Sequence, residues 1–243
     1  MGEFGEFSDV NGSWSNAHAN FLSNLSDEET DGLLKYARKK NLEPKDFLFR
    51  AGDQSNDVFV VAEGCVRLFQ ISSTGKETIL WFSFPGEIFG IAEILSGGDR
   101  EIYANATETS VVYAVKRCDF TRFIGQHPEA AMRAIGILSA RVRTLGHAFV
   151  GLTTDNVEAR IARLLLHFAR VSAAPPCNES SNSELCVNIR LTHQDIANLI
   201  GSSRQTVTTT LVELKKSGAL RRVDRHVHII KPKRLRRIID LGD

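Results

Sequence analysis

Between Asp57 and Val115 the apolar residues come in short runs, broken at near-regular intervals by glycine. Gly52, Gly64, Gly75, Gly86 and Gly97-Gly98 recur every 11 or 12 residues. The runs between them are rich in β-branched and aromatic side chains: Asp57–Val61, Cys65–Ile71, Thr78–Phe82 and Ser110–Val115. Short strands with turn signals at this spacing predict an antiparallel sandwich or barrel, a pattern that by itself suits many functions. After Pro128 the period changes. Ile135, Leu138, Val142, Leu145 and Phe149 alternate by three and four, which predicts a long helix from Pro128 to about Leu152 with a heptad-type seam. A helix lying on its own sheet would carry the same stripe. Asn156 to Val171 reads as a further helix and Ser172–Cys186 as a polar, Pro-containing loop. Ahead of the strands, Ser26-Asp27-Glu28-Glu29 opens a short helix with a capping box, ending near Lys39-Lys40.

The stretch Leu191–Leu211 reads as two short helices joined by a tight turn. Thr192 and Asp195 have the spacing of a capping box, and Ser202 with Gln205 repeats it. Ile196 and Ile200 share a face, as do Val207, Leu211 and Leu214 at i, i+4, i+7. Gly201 sits where the reversal needs a residue without a side chain. This leaves Arg204, Gln205, Thr208 and Thr209 facing outward, a polar face without the Glu and Lys of an ordinary solvated helix. A helix-turn-helix suits the laying of its second helix in the major groove of DNA. Leu220–Ile230 follows as a hairpin turning at Val223-Asp224-Arg225-His226, which makes the module a winged helix, and Lys231–Ile239 closes as a basic helix.

Charge sharpens this picture. From Val187 to Asp243 there are 12 Lys/Arg and 5 Asp/Glu, a net of +7, whereas the whole chain is +1, so residues 1–186 carry −6. The basic part coincides with the helix-turn-helix and is attracted to phosphate backbones. No apolar stretch approaches the roughly 20 residues that span a bilayer. The acidic start, Met1–Phe7, lacks the apolar core of a signal peptide, so a cytoplasmic location is expected. Residues 1–19 are rich in Gly, Ser and Asn and are expected to be disordered. Among the four cysteines no Cys-x-x-Cys pair occurs. Cys177 and Cys186 bracket the polar loop and have the placement of a regulatory disulfide, although reduced thiols are the expectation for a cytoplasm.

A glycine-punctuated β-roll, a long helix and a winged helix, in that order, resemble the cAMP receptor/fumarate-nitrate regulator (CRP/FNR) family of bacterial transcription factors. The resemblance covers about residues 20–240. Its most specific part, Ile196–Thr206, looks most like the carbon-monoxide-sensing haem regulator of the family. Pro85–Gly90 resembles the family's effector-pocket segment. The resemblance implies Arg204, Gln205 and Thr209 as base readers, and Thr192, Gln194, Ser203 and Thr206 as phosphate contacts. Arginine can pair with guanine, glutamine with adenine, and hydroxyls and helix N-termini suit phosphates.

The resemblance implies an effector pocket at Phe89, Gly90, Ile91, Ala92, Arg100 and Leu145. Cyclic AMP is disfavoured there: Glu101 replaces the Ser of the phosphate-binding Arg-Ser pair, Ile91 replaces the ribose-binding Glu, and Leu145-Gly146 replace the adenine-contacting pair. The resemblance disfavours haem too, because Gly90 and Ala92 stand where the carbon-monoxide sensor places its ligands. An iron-sulfur cluster is disfavoured as well, because the family's oxygen sensor uses N-terminal cysteines and residues 1–50 contain none. Phe89–Ala92 with Arg100 looks closest to the 2-oxoglutarate pocket of the cyanobacterial nitrogen regulator, so the resemblance leaves the effector's identity open and favours a small anion over cyclic AMP. Arg100 is the only Lys or Arg between Lys76 and Lys116. Such a cation is either paired internally, with Glu87, Glu93, Asp99 or Glu101, or open to an anion. His226 and His228 lack a third ligand, so no metal site is expected.

The chain is thus expected to be α+β: a disordered 1–19, a jelly-roll sensor domain over 20–127, a dimerisation helix and hinge over 128–155, and a winged helix-turn-helix over 156–243. The expected function is that of a homodimeric, sequence-specific DNA-binding transcription regulator, not an enzyme. Ile135, Leu138, Val142, Leu145 and Phe149 are the expected dimer seam, a palindromic operator the expected target, and RNA polymerase the partner that the family implies. A cyclic-nucleotide-binding module would leave Leu191–Ile230 unexplained, and an effector-independent regulator stands as the nearer alternative. A cupin-like enzyme would need metal ligands in the roll, and residues 42–116 contain no histidine.

Overall fold

The run Asp57–Glu63 forms β3 with both of its faces buried, which is why it reads as continuous rather than alternating hydrophobicity. Phe59 and Val61 point to one side and Val58 and Val60 to the other. The computed structural model describes residues 20–171, 185–187, 189–223, 226–229 and 231–241.

The chain opens with a 3-10 turn (Leu22–Asn24) and α1 (Asp27–Leu34), then β1 (Arg38–Leu42), β2 (Phe47–Phe49) and β3. β4 (Val66–Ile71), β5 (Glu77–Ser83), β6 (Ile88–Phe89), α2 (Ala92–Ser96), β7 (Tyr103–Ala106) and β8 (Ser110–Lys116) follow. Two four-stranded antiparallel sheets result, ordered β1-β8-β3-β6 and β2-β7-β4-β5. Phe49, Phe59, Val61, Leu68, Phe89 and Val112 fill the space between them. The outer face of the first sheet, through Val58, Val60, Ile88 and Val115, is covered by α1, α3 (Arg117–Gln126) and the start of α4 (Pro128–Thr154), which supply Leu33, Phe120, Phe123, Ala134 and Ile137. The punctuating glycines 52, 64, 75, 86, 97 and 98 all have positive φ, as the turn reading requires.

The capping box of α1 is present, Ser26 Oγ accepting from Glu29 N–H and Glu29 from Ser26 N–H. The backbone donor at Ser26 holds the Glu29 carboxyl below the usual range. The helix ends at Leu34, however, and Lys39-Lys40, expected at its end, lie in β1 opposite Tyr113 and Val112. Pairing with β8 outweighs the helical preference of lysine.

Beyond α4 come α5 (Val157–Val171), β9 (Leu185–Val187), α6 (His193–Ile200), α7 (Arg204–Lys216), β10 (Leu220–Val223), β11 (His226–Ile229) and α8 (Pro232–Leu241). Asn156 caps α5 through Ala159 N–H. β9 is a correction to the sequence reading, which placed Cys186 at the end of a loop. Leu185–Val187 pairs antiparallel with β11 and makes a three-stranded sheet of the hairpin. A three-residue strand carries too little pattern to be seen locally. The expectations for residues 1–19, for 172–184 including Cys177, and for Asp224 and Arg225 fall outside the described residues. By contact the described chain falls into two compact units, one of residues up to 142 with 191–204 and the other of 143–190 with 205–241.

Candidate nucleic-acid interface and effector region

Thr192 Oγ1 accepts from Asp195 N–H at 3.1 Å while Asp195 Oδ2 accepts from Thr192 N–H at 2.9 Å, so the predicted capping box starts α6. The other Asp195 oxygen lies 3.5 Å from Arg67. Ile196 and Ile200 are buried as expected, and Gln194 donates to the buried Asn198 at 2.8 Å. Gly201 ends the helix at φ 65°, a left-handed conformation open to glycine without strain, and Ser202 N–H closes onto Ala197 C=O at 3.0 Å.

In α7, Val207, Leu211 and Leu214 form the buried stripe. Arg204, Gln205 and Thr209 are exposed, Thr208 half-buried, and Ser203 and Thr206 exposed. The Thr209 hydroxyl donates to Gln205 C=O at 3.2 Å, which orients its methyl and hydroxyl along the exposed face. α7 is therefore a helix held by one apolar stripe, with short polar side chains and one arginine on the opposite side.

In the roll, Phe49, Phe59 and Phe89 stack with ring centroids 5.5–6.4 Å apart. Arg100 lies over the Phe49 ring at 4.5 Å. Its guanidinium donates to Gly90 C=O and to Glu93 Oε2, both at 3.0 Å, and to Asp57 C=O. Burial lowers its pKa, opposed by the Glu93 and Asp57 charges. Of the two readings of Arg100, the structure realises internal pairing. Gly90 has φ 75°, and a Cβ there would meet Arg100 Nη1 at 2.9 Å, so glycine is what lets the guanidinium in. Phe89, Gly90 and Arg100 come together, whereas Ile91 is buried in the core under the helices, and Ala92 and Leu145 are exposed.

α4 carries two stripes. Ala130, Ala134, Ile137, Arg141 and Thr144 are buried, while Met132, Ile135, Val142, Leu145 and Phe149 are exposed, Val142 and Phe149 at 70%. Leu138, expected in the exposed seam, is half-buried against the roll's helix-covered core. Sequence reasoning missed Arg141. It is 9% exposed, donates to Ile88 C=O at 2.6 Å and stacks over Trp81 at 4.8 Å. Burial pulls its pKa down to about 10, opposed by the Glu87 charge. Trp81 Nε1 and Ser83 Oγ, both in β5, are buried donors without an acceptor among the described residues. A cation inside an apolar stripe is the signal that would have found it.

Residues 39–127 match the cyclic nucleotide-binding domain, and residues 159–238 the Crp-like helix-turn-helix domain. The chain belongs to the CRP/FNR family of bacterial transcription regulators. It is 29% identical over 197 residues to the cyclic AMP receptor protein of Thermus thermophilus, spanning 81% of this chain and 86% of that protein. It is 26% identical over 197 residues to the anaerobic regulatory protein of Pasteurella multocida, spanning 81% and 70%. A variant of CooA from Carboxydothermus hydrogenoformans has the same fold, with TM-score 0.73 at 21% identity, covering 91% of this chain and 99% of that one.

This CRP/FNR regulator therefore couples a helix-turn-helix DNA-binding domain to a β-roll of the cyclic-nucleotide-binding type. Among the described residues no group of three or more His, Cys, Asp or Glu could hold a metal ion, and no helix is long and apolar enough to cross a membrane. Cys186, expected to be reduced, is disulfide-bonded, whereas Cys65 and Cys118 are free. Cys186 sits on β9, opposite His228 of β11.

Proposed function

We propose that the regulator acts as a homodimer reading a two-fold symmetric operator, with α7 of each protomer in the major groove. Arg204, Gln205, Thr208 and Thr209 read base edges, and Thr192, Gln194, Ser203 and Thr206 meet phosphates. The observation that carries this reading is the exposed polar face of α7 opposite its buried Val207/Leu211/Leu214 stripe. Selection of bound duplexes from a random pool tests it. A palindrome with half-site centres roughly 34 Å apart is the expected product. Arg204→Ala is expected to cost about 1–3 kcal/mol on that site and to relax preference at one base pair. An unchanged ratio of specific to random binding would remove Arg204 from the base readers.

The exposed stripe Ile135/Val142/Leu145/Phe149 supplies the dimer contact, because exposed apolar residues at heptad spacing seek a partner. Control by a small effector runs through the roll. Arg100 is already satisfied by Glu93 and two carbonyls, so an anionic effector would engage Arg141, a cation in the inward stripe of α4 that among the described residues donates to one carbonyl and lies over the Trp81 ring. RNA polymerase contact follows from the family alone.

A further inference from the structure

α8 has a use that neither the helix-turn-helix nor the roll accounts for. Its Leu235 and Ile239, at i and i+4, are buried, and the helix packs on α5. On the opposite side, Lys233, Arg236 and Arg237 are exposed at i, i+3, i+4. None of the three is in an ion pair among the described residues, and Asp240 is the one acid of the helix. The start of α8 is tied to the end of α7: Lys231 N–H donates to Ala219 C=O at 3.4 Å, and Arg234 to Ser217 C=O at 3.4 Å. The cationic face is thus fixed within the same compact unit as most of α7. Holding three cations within about one helical turn costs free energy by mutual repulsion, which a polyanion relieves.

We propose that α8 is a second, sequence-independent DNA-binding element, with Lys233, Arg236 and Arg237 contacting phosphates that flank the site read by α7. The occupant is duplex DNA because the unit that carries α8 is the one that approaches it. Neutral substitution of all three leaves Leu235 and Ile239 in place, and glutamine is a good helix former, so the fold is retained.

The test compares the full-length protein with the variant Lys233→Gln/Arg236→Gln/Arg237→Gln on the selected operator and on random duplex of equal length, from 50 to 200 mM salt. Each phosphate contact contributes about 0.9 to the slope of log affinity against log salt, so the slope is expected to fall by about 2.7. The ratio of wild-type to variant affinity then shrinks about 40-fold across that range. Operator and random duplex are expected to lose affinity by the same factor. Arg236→Lys/Arg237→Lys should keep the wild-type slope, and circular dichroism should show that every variant is folded. An unchanged slope, or a drop of less than one, overturns the proposal. So does intact DNA binding with lost polymerase-dependent transcription, which would make α8 a protein-binding face. The random-duplex arm reads α8 even if no palindrome emerges from selection, so the two proposals fail separately.

Discussion

Arg100 and Glu93 form a buried ion pair, Nη1 to Oε2 at 3.0 Å, with the arginine side chain 2% exposed. The cation for which the sequence reading left an anion open as a partner is already paired with the protein's own carboxylate. Arg100→Gln is therefore expected to damage the fold before it damages sensing. Removing one partner of such a pair leaves a buried charge uncompensated, at a cost of about 3–5 kcal/mol. Denaturant unfolding would show this as a fall in midpoint. Arg100→Gln with Glu93→Gln should recover part of the loss. A single variant as stable as the wild type would mean that the pair does not hold the β3–β6 end of the roll.

Arg141 behaves oppositely. Burial of the Arg141 charge outweighs the attraction of Glu87, so Arg141→Met should melt at or above the wild-type temperature without ligand. It should also lose any stabilisation by small carboxylates or phosphates. The pH dependence carries a sign. The folded-state pKa, about 10, lies below the ordinary arginine value, so burying the charged form costs stability throughout neutral pH. That cost fades as pH rises past about 10. The stability gap between variant and wild type should be constant from about pH 7 to 9 and narrow above it. A variant much less stable than the wild type at pH 7 would show that Arg141 is fully satisfied in the fold.

Dimerisation should depend on the outward stripe of α4 and not on the inward one. Ile135→Glu/Val142→Glu changes two exposed residues, so the protomer should keep its fold while sedimentation shows a monomer with reduced operator affinity. Leu138→Glu, by contrast, should destabilise the protomer, because Leu138 packs on its own core. A folded, dimeric Ile135→Glu/Val142→Glu protein would place the interface elsewhere.

The two free cysteines should differ in reactivity. Burial pushes the Cys65 thiol up to about 12, so it holds almost no thiolate at pH 8, whereas Cys118 is exposed. Iodoacetamide on the native, unreduced protein at pH 8 should label Cys118, and Cys65 should react after unfolding. Peptide mass mapping distinguishes the two, and native labelling of Cys65 would mean that the strand ends around it open readily.

Sequence and tertiary structure divided the information along a physical line. Local signals lie in the residues themselves: the Ser26/Glu29 and Thr192/Asp195 caps, the glycines of positive φ, and the Ile196/Ile200 and Val207/Leu211/Leu214 stripes. Each needs no more than a few neighbouring residues to take effect, so each was legible and was found in place. The order of roll, long helix and helix-turn-helix was legible for the same reason. Non-local pairings were not. That Lys39-Lys40 belong to a strand depends on β8, some seventy residues away, and that Leu185–Val187 is a strand depends on β11. Which α4 residues face the roll and which face solvent could not be read from a period shared by both stripes. The fate of the two buried arginines was decided in three dimensions as well. Arg100 meets Glu93, and Arg141 meets the Ile88 carbonyl and the Trp81 ring, because a cation's state follows from what the fold places within a few ångströms of it, and no one-dimensional pattern records that distance.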